Sequence, residues 1–299
     1  MPEQTPPRAM LEVDNVTIRF GGVVALDGVD FVVREGEILG LIGPNGAGKT
    51  TCFNAITGVA KPTKGAIRFN GESVAGRKRY KITRLGIART FQNIRLFPEM
   101  TALENVLVGA DARHKTSVVG ALLRVYRVPV KRHELAEVTA TGGLARLAQQ
   151  ARRTGQRFFG LSRHTLEERA ARAKATELLR LVGIDVRAGE LARNLSYGEQ
   201  RRLEIARALA TEPGLLCLDE PAAGFNPAEK EELLALIRKI RDTGVTVLLI
   251  EHDMRLVMGV TDRIVVMEFG KKIAEGTPAE VRENPKVIAA YLGVPADAA

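Results

Sequence analysis

EILGLIGPNGAGKTTCFNAITG, Glu37 to Gly58, decides the fold of this 299-residue chain. Its first six residues read as a short apolar strand, the chain then becomes a Gly-rich loop from Gly43, and a helix of about ten residues follows, ending near Gly58. GPNGAGKT matches the G-x-x-x-x-G-K-[ST] phosphate loop in the strand-to-helix setting the motif requires. The glycines let backbone amides turn inward around phosphates, and the helix amino terminus adds partial positive charge. Lys49 is placed to reach the β- and γ-phosphates and Thr50 to hold Mg²⁺. Gly43, Pro44, Asn45, Gly46, Ala47, Gly48, Lys49, Thr50 and Thr51 are therefore the candidate nucleotide-binding residues.

On the amino-terminal side the chain is all β: LEVDNVTIRF, VDFVV and EILGLI, broken at Gly21-Gly22 and at Arg34-Glu35-Gly36. On the carboxyl side, apolar runs recur at Ala66–Phe69, Leu215–Leu218, Val245–Ile250 and Ile264–Met267. Helices separate several of them, which predicts a largely parallel sheet. LLCLDE, Leu215 to Glu220, reads as a buried strand that delivers two carboxylates to its carboxyl edge. Asp219 suits the Mg²⁺ and Glu220 the attacking water. A helix from Ala228 to about Asp242 carries Leu233, Leu236, Ile237 and Ile240 on one stripe, with Asn226 as cap, Pro227 in the first turn and Glu229 at the capping-box position. Thr165 with Glu168 predicts a second capped helix, bearing Leu166, Ala170, Ala173, Leu178, Leu181 and Val182.

LSYGEQRRLEIARALA, Leu195 to Ala210, gives a loop up to Gln200 and then a helix with Leu203, Ala206 and Leu209 buried. Ser196 and Glu199 have capping-box spacing. The loop resembles the LSGGQ-like signature of the ATP-binding-cassette (ABC) ATPases, with Tyr197 in place of the first Gly and Glu199-Gln200 following Gly198. The resemblance extends over nearly the whole chain. It implies that Ser196, Gly198 and Glu199 contact the γ-phosphate of ATP held by a second cassette, and that Phe20 stacks on adenine. It also implies that Gln92 senses Mg²⁺ and couples the site to a membrane partner, and that His252 is the switch histidine. Glu220, His252 and Lys49 would be catalytic, and Thr50, Gln92 and Asp219 would serve the metal. In EPAAGFNP the position where most ABC ATPases have Asp is Asn226, for which helix capping is a sufficient purpose. With IEHDM, EGTP and NPKVIAAYLG, the segment looks like the cassette subunits of branched-chain amino-acid importers, nearest the G-type; urea and lipopolysaccharide transporters share much of it.

The fold class implied is α/β: a P-loop NTPase (ABC ATPase) core with an N-terminal antiparallel β subdomain and an inserted α-helical subdomain. The ABC ATP-binding domain would span 10–294, with its core at 10–91 and 212–294, the helical part at about 92–211 and a basic insertion at about 110–164, between flexible tails 1–9 and 295–299. Partners implied are two transmembrane permeases, a sister cassette or a second copy of this chain, and indirectly a substrate-binding protein. A soluble, non-transport ABC ATPase is the other class, which the single cassette and the lack of heptads disfavour.

Composition excludes a disordered or fibrous chain, since 45% of residues are apolar and 26% charged. The net charge of +9 is concentrated: residues 113–174 hold 14 Lys/Arg against 4 Asp/Glu. Within it, Leu144 to Phe159 reads either as a basic amphipathic helix at an anionic membrane surface or as a solvated loop, the latter favoured by Gly142, Gly143, Gly155 and Gly160. No nucleic-acid motif accompanies the charge, so no nucleic-acid partner is expected. No run reaches the roughly 20 apolar residues of a membrane span, and MPEQTPPRAM lacks the pattern of a secretory signal. The expected location is peripheral, on the cytoplasmic face of the inner membrane. Cys52 and Cys217 sit among apolar neighbours and read as buried small hydrophobes.

Overall fold

A computed structural model of the chain describes residues 8–111 and 170–292. They divide into one unit of residues 1–112 and 175–299 and another of residues 113–174. In the second unit the described residues, 170–174, are helical. The basic stretch, apart from residues 110 and 111, and the Thr165–Glu168 cap lie outside the described residues.

The first unit holds two sheets. β1 (Ala9–Phe20), β2 (Val23–Arg34), β4 (Lys64–Phe69) and β5 (Glu72–Ser73) form an antiparallel sheet in the order β2-β1-β4-β5. β1 begins at Ala9, a residue that the sequence reading assigns to the tail. The second sheet runs β10-β9-β3-β8-β7-β6, from β3 (Ile38–Ile42), β6 (Ile87–Arg89), which follows the short helix α2 (Arg79–Leu85), β7 (Leu215–Asp219), β8 (Thr246–Ile250), β9 (Arg263–Glu268) and β10 (Lys271–Gly276). Its pairings are parallel except at the β9–β10 edge. The expectation of a parallel sheet holds for β3, β7, β8 and β9 but fails for Ala66–Phe69. That run is β4, reached through a short link from α1 (Lys49–Ile56), and it turns back antiparallel onto β1.

β3, β7 and β8 are buried along their whole length, as strands covered on both faces must be. Alternation assigns their side chains to two cores. Leu215, Cys217, Leu248 and Ile250 face a core shared with β1, β2, β4 and Phe53 of α1. Leu216, Leu218, Val247 and Leu249 face a core shared with α3 (Ala102–Asp111), α4 (residues 170–181), α5 (Tyr197–Leu209) and α6 (Pro227–Asp242). A third cluster lies under α7 (Met254–Val260), α8 (Pro278–Glu283) and α9 (Pro285–Leu292). Both cysteines are buried and unpaired, and burial pushes each thiol up to about 12.

α4 buries Ala175 and Leu179, and Val182 just past its end is buried with them, whereas Ala170 and Ala173 are exposed. The buried set keeps i, i+4, i+7 spacing; the expected stripe mixed two faces of the helix. α6 starts as expected. Asn226 Oδ1 accepts the Glu229 amide at 3.0 Å, and the Glu229 carboxylate accepts the Asn226 amide at 2.8 Å. Replacing Asn226 by Ala should cost about 1 kcal/mol, while Asn226→Asp should stay within about 0.5 kcal/mol of the parent. Urea unfolding midpoints measure both, and an unaffected Asn226→Ala variant would remove the capping role.

Candidate nucleotide site

Parallel pairing sends the carboxyl ends of β3, β8, β7 and β6 to one edge of the sheet, where α/β proteins place their ligands. β3 runs into the Gly43–Gly48 loop, β6 is followed by Gln92, β7 ends in Asp219 with Glu220 next, and β8 is followed by Glu251 and His252. The residues singled out in four separate stretches thus become neighbours through topology alone.

The loop opens a cleft of about 440 Å³ lined by Asn45, Gly46, Ala47, Gly48, Lys49, Thr50 and Thr51, with Glu220 across from them and Val23, Val24, Phe269 and Gly270 at the rim. At Gly46 the backbone is left-handed, at φ +81°, and a Cβ would meet nothing within 4 Å, so the loop is bare on that side. Gly48 caps α1 at φ +99°, where a Cβ would stand 2.7 Å from the Ala25 carbonyl oxygen. The Lys49 ammonium donates to the carbonyls of Gly43 at 2.7 Å and Pro44 at 3.0 Å. Burial lowers its pKa from the ordinary lysine value, while the charges of Glu220 and Asp219 act to raise it. α1 has no acidic residue in its first turn to compete for its amides.

Glu220 sits at φ +47°, unusual for a residue with a side chain, and is fixed there by its amide donating to the Ile250 carbonyl at 2.9 Å. The Gln92 carboxamide donates to Glu220 Oε2 at 3.0 Å, and His252 Nδ1 lies 4.0 Å from the same oxygen. Asp219 is paired: the Arg89 guanidinium donates to its Oδ2 at 2.7 Å, in a nearly buried contact. Arg89 also donates to Asn54 and Thr57 and lies 5.5 Å from the ring centres of both Phe53 and Phe91.

Phe20 ends β1, is 56% exposed and pairs with Val23 of the cleft rim. Ser196, Gly198 and Glu199 are not part of the cleft lining. α5 begins at Tyr197, so Gly198 and Glu199 occupy its first turn and not a loop running to Gln200. The capping box explains the earlier start. Ser196 Oγ accepts the Glu199 amide and Glu199 Oε2 accepts the Ser196 amide at 2.8 Å, which holds the Glu199 carboxyl below its ordinary pKa.

Four residues of this edge went unread in the sequence. Arg89 ends a three-residue strand, Ile87–Arg89, too short to show a period. Glu251 is fully buried, accepting the amides of Ala222 at 2.8 Å and His252 at 3.1 Å, and burial raises its pKa. Only the adjacency of His252 hinted at it. Phe269, 85% exposed at φ +43°, brings a second aromatic to the rim. Arg201 is fully buried on α5 and reaches the backbone beside Gln92.

Residues 26–223 match the family model described as ABC transporter, and residues 271–297 match one described as branched-chain amino acid ATP-binding cassette transporter. The chain is 45% identical over 287 residues to the high-affinity branched-chain amino acid transport ATP-binding protein BraF of Pseudomonas aeruginosa, covering 96% of this chain and 98% of the relative. It is 42% identical over 285 residues to LivG of Escherichia coli, at 95% and 98% coverage. Among solved structures, the ADP conformation of MJ1267, an ATP-binding cassette of an ABC transporter, superposes with a TM-score of 0.72 at 29% identity, covering 96% of this chain and 99% of that one.

Proposed function

The chain belongs to the ABC transporter family, and from that premise we propose that it is the ATP-hydrolysing subunit of an importer for branched-chain amino acids. The observation that carries the chemistry is the convergence of Lys49, Gln92, Glu220 and His252 on one cleft edge beside the phosphate loop. The cargo rests on the relatives whose names specify branched-chain amino acid transport and on the match at residues 271–297.

ATP and Mg²⁺ fit the residues present. Gly46 leaves the loop open where phosphates would lie, and the first-turn amides of α1 are uncontested. Thr50, Gln92 and Asp219 offer the hard oxygen donors that Mg²⁺ prefers, and Asp219 keeps Oδ1 for that purpose while Arg89 takes Oδ2. Bound Mg²⁺ would neutralise phosphate charge. Lys49 would exchange its two carbonyl partners for phosphate oxygens, Phe20 would stack on the base, and Glu220 would orient the attacking water with His252 alongside. Catalysis of this kind is mostly positioning and electrostatics. Ser196, Gly198 and Glu199 would act on the nucleotide of a second cassette, a sister subunit or another copy of this chain.

The full assembly would add two permeases and, indirectly, a substrate-binding protein, with this chain peripheral on the cytoplasmic face of the inner membrane. Among the described residues no helix is long and apolar enough to cross a membrane. The test is to affinity-purify the chain from detergent-solubilised native membranes, identify its companions by mass spectrometry, and reconstitute them in liposomes. ATP-dependent uptake of leucine, isoleucine and valine is expected. Uptake of urea alone, or copurification with soluble proteins only, would overturn the reading.

A further inference from the structure

Where β6 ends, the main chain passes from one element to another in an unusual way. The Thr90 amide makes the last bond to the sheet, donating to the Cys217 carbonyl at 3.0 Å. Four backbone groups that follow, the Phe91 and Arg95 amides and the Phe91 and Gln92 carbonyls, go to two side chains of α5. The Phe91 amide donates to Glu204 Oε1 at 3.2 Å, and Glu204 also accepts the Arg95 amide. Arg201 donates through Nη1 to the Phe91 carbonyl at 2.6 Å and through Nη2 to the Gln92 carbonyl at 2.7 Å. Arg201 and Glu204 bond each other at 2.8 Å, and both are buried. Buried backbone groups need partners, but a turn of local hydrogen bonds would supply them without an ion pair. This arrangement fastens the Gln92 segment to the signature helix.

Arg201 further donates to the Tyr197 hydroxyl at 3.3 Å, and the Tyr197 ring meets Phe225 edge-on with centroids 6.3 Å apart. The grip therefore starts at the first helical residue after Ser196 and ends at the carbonyl of the residue whose carboxamide holds Glu220.

We propose that Arg201 and Glu204 form a positioning clamp that ties the Gln92 carboxamide, and through it the Glu220 carboxylate, to the signature helix. Neither residue lines the cleft. With one Glu220 oxygen held by Gln92, the other is left to orient water, and movement of α5 is transmitted to that carboxylate without an intervening flexible link. The inference rests on the ATPase reading given above and adds to it a route between two parts of the site that the sequence keeps about a hundred residues apart.

The test replaces both members, Arg201→Met with Glu204→Leu, because a single replacement strands a buried charge, whereas the Phe91 and Gln92 backbone groups freed by the double replacement belong to partly exposed residues that water can reach. Steady-state ATP hydrolysis by the full chain should show kcat about tenfold lower with KM within about twofold. In a Gln92→Ala background the same pair of substitutions should change kcat by less than about 1.5-fold, since a clamp acting through Gln92 has nothing left to place. Wild-type kcat, or an equal loss in both backgrounds, would overturn the clamp. Amide hydrogen exchange gives a second readout: the Phe91 amide should exchange at least about tenfold faster in the double variant, and undiminished protection there also overturns the proposal. A wild-type chain that hydrolyses no ATP would instead count against the ATPase reading, with the exchange measurement still deciding the clamp.

Discussion

Glu220→Gln lowers ATP turnover by at least about 100-fold, or about 2.7 kcal/mol in the barrier, while ATP affinity stays within about threefold. The substitution is nearly isosteric, and the geometry around it survives. The residue 220 amide still donates to the Ile250 carbonyl, and the left-handed backbone at φ +47° is set by that bond and by the strand before it, not by the carboxylate. The new carboxamide oxygen can still accept from Gln92. What is lost is the charge that draws a proton from water and holds the nucleophile in line. Binding depends on the opposite wall of the cleft, where Lys49 and the loop amides lie, so it is spared. ATP-loaded chain should then accumulate, and size-exclusion chromatography with ATP should show more dimer than the parent gives. Undiminished hydrolysis by the variant would remove Glu220 from its assigned role.

That cleft was readable where one stretch of chain carries both the structural and the chemical signal. EILGLI and LLCLDE are apolar runs that end in loop glycines or carboxylates, so burial and chemistry mark the same strand end. Asn226 and Ser196 were readable because a capping box lies within four residues. The failures have a common cause in long-range pairing. Ile87–Arg89 is too short to show a period, and only its register against β7, with Arg89 opposite Cys217, brings the guanidinium to Asp219. Ala66–Phe69 looks like any other buried strand, and whether it joins the parallel sheet or returns to β1 is a matter of connection and not of composition. β10, with no fully buried residue, gave no apolar signal at all. The partners of Glu251 and Arg201 are backbone groups, which a sequence does not distinguish from one another.

Arg89 bears on how the charges of the cleft balance. Asp219 and Glu220 bring two carboxylates to the edge where phosphates would lie, and Arg89 is already committed to Asp219 at 2.7 Å with Phe53 and Phe91 on its faces. It does not line the cleft. The attraction for nucleotide therefore falls to Lys49 and to the amide dipoles of the loop and α1.

Lys49→Met consequently weakens ATP binding by at least about 100-fold, again about 2.7 kcal/mol. Among the described residues Lys49 is the sole cation lining the cleft. Without it, the triphosphate would face Glu220 with only backbone dipoles and the bound Mg²⁺ to compensate, and in a partly desolvated site that imbalance weighs more than it would in water. The fold should tolerate the change. The carbonyls of Gly43 and Pro44 lose their shared donor, a cost of about 2 kcal/mol, and the methionine side chain returns part of it by filling the volume the lysine stem occupies. Isothermal titration calorimetry with ATP and a thermal melt of the same sample separate the two effects: affinity should collapse while the melting temperature moves by only a few degrees. The parent should also show a pH signature. Burial depresses the Lys49 pKa, so the free chain loses that proton as pH rises before an exposed lysine would, and ATP affinity should begin to fall below the ordinary lysine range. In Lys49→Met that alkaline decline should be absent. A variant that binds ATP within threefold of the parent, or that keeps the decline, would mean that Lys49 serves only to brace its own loop.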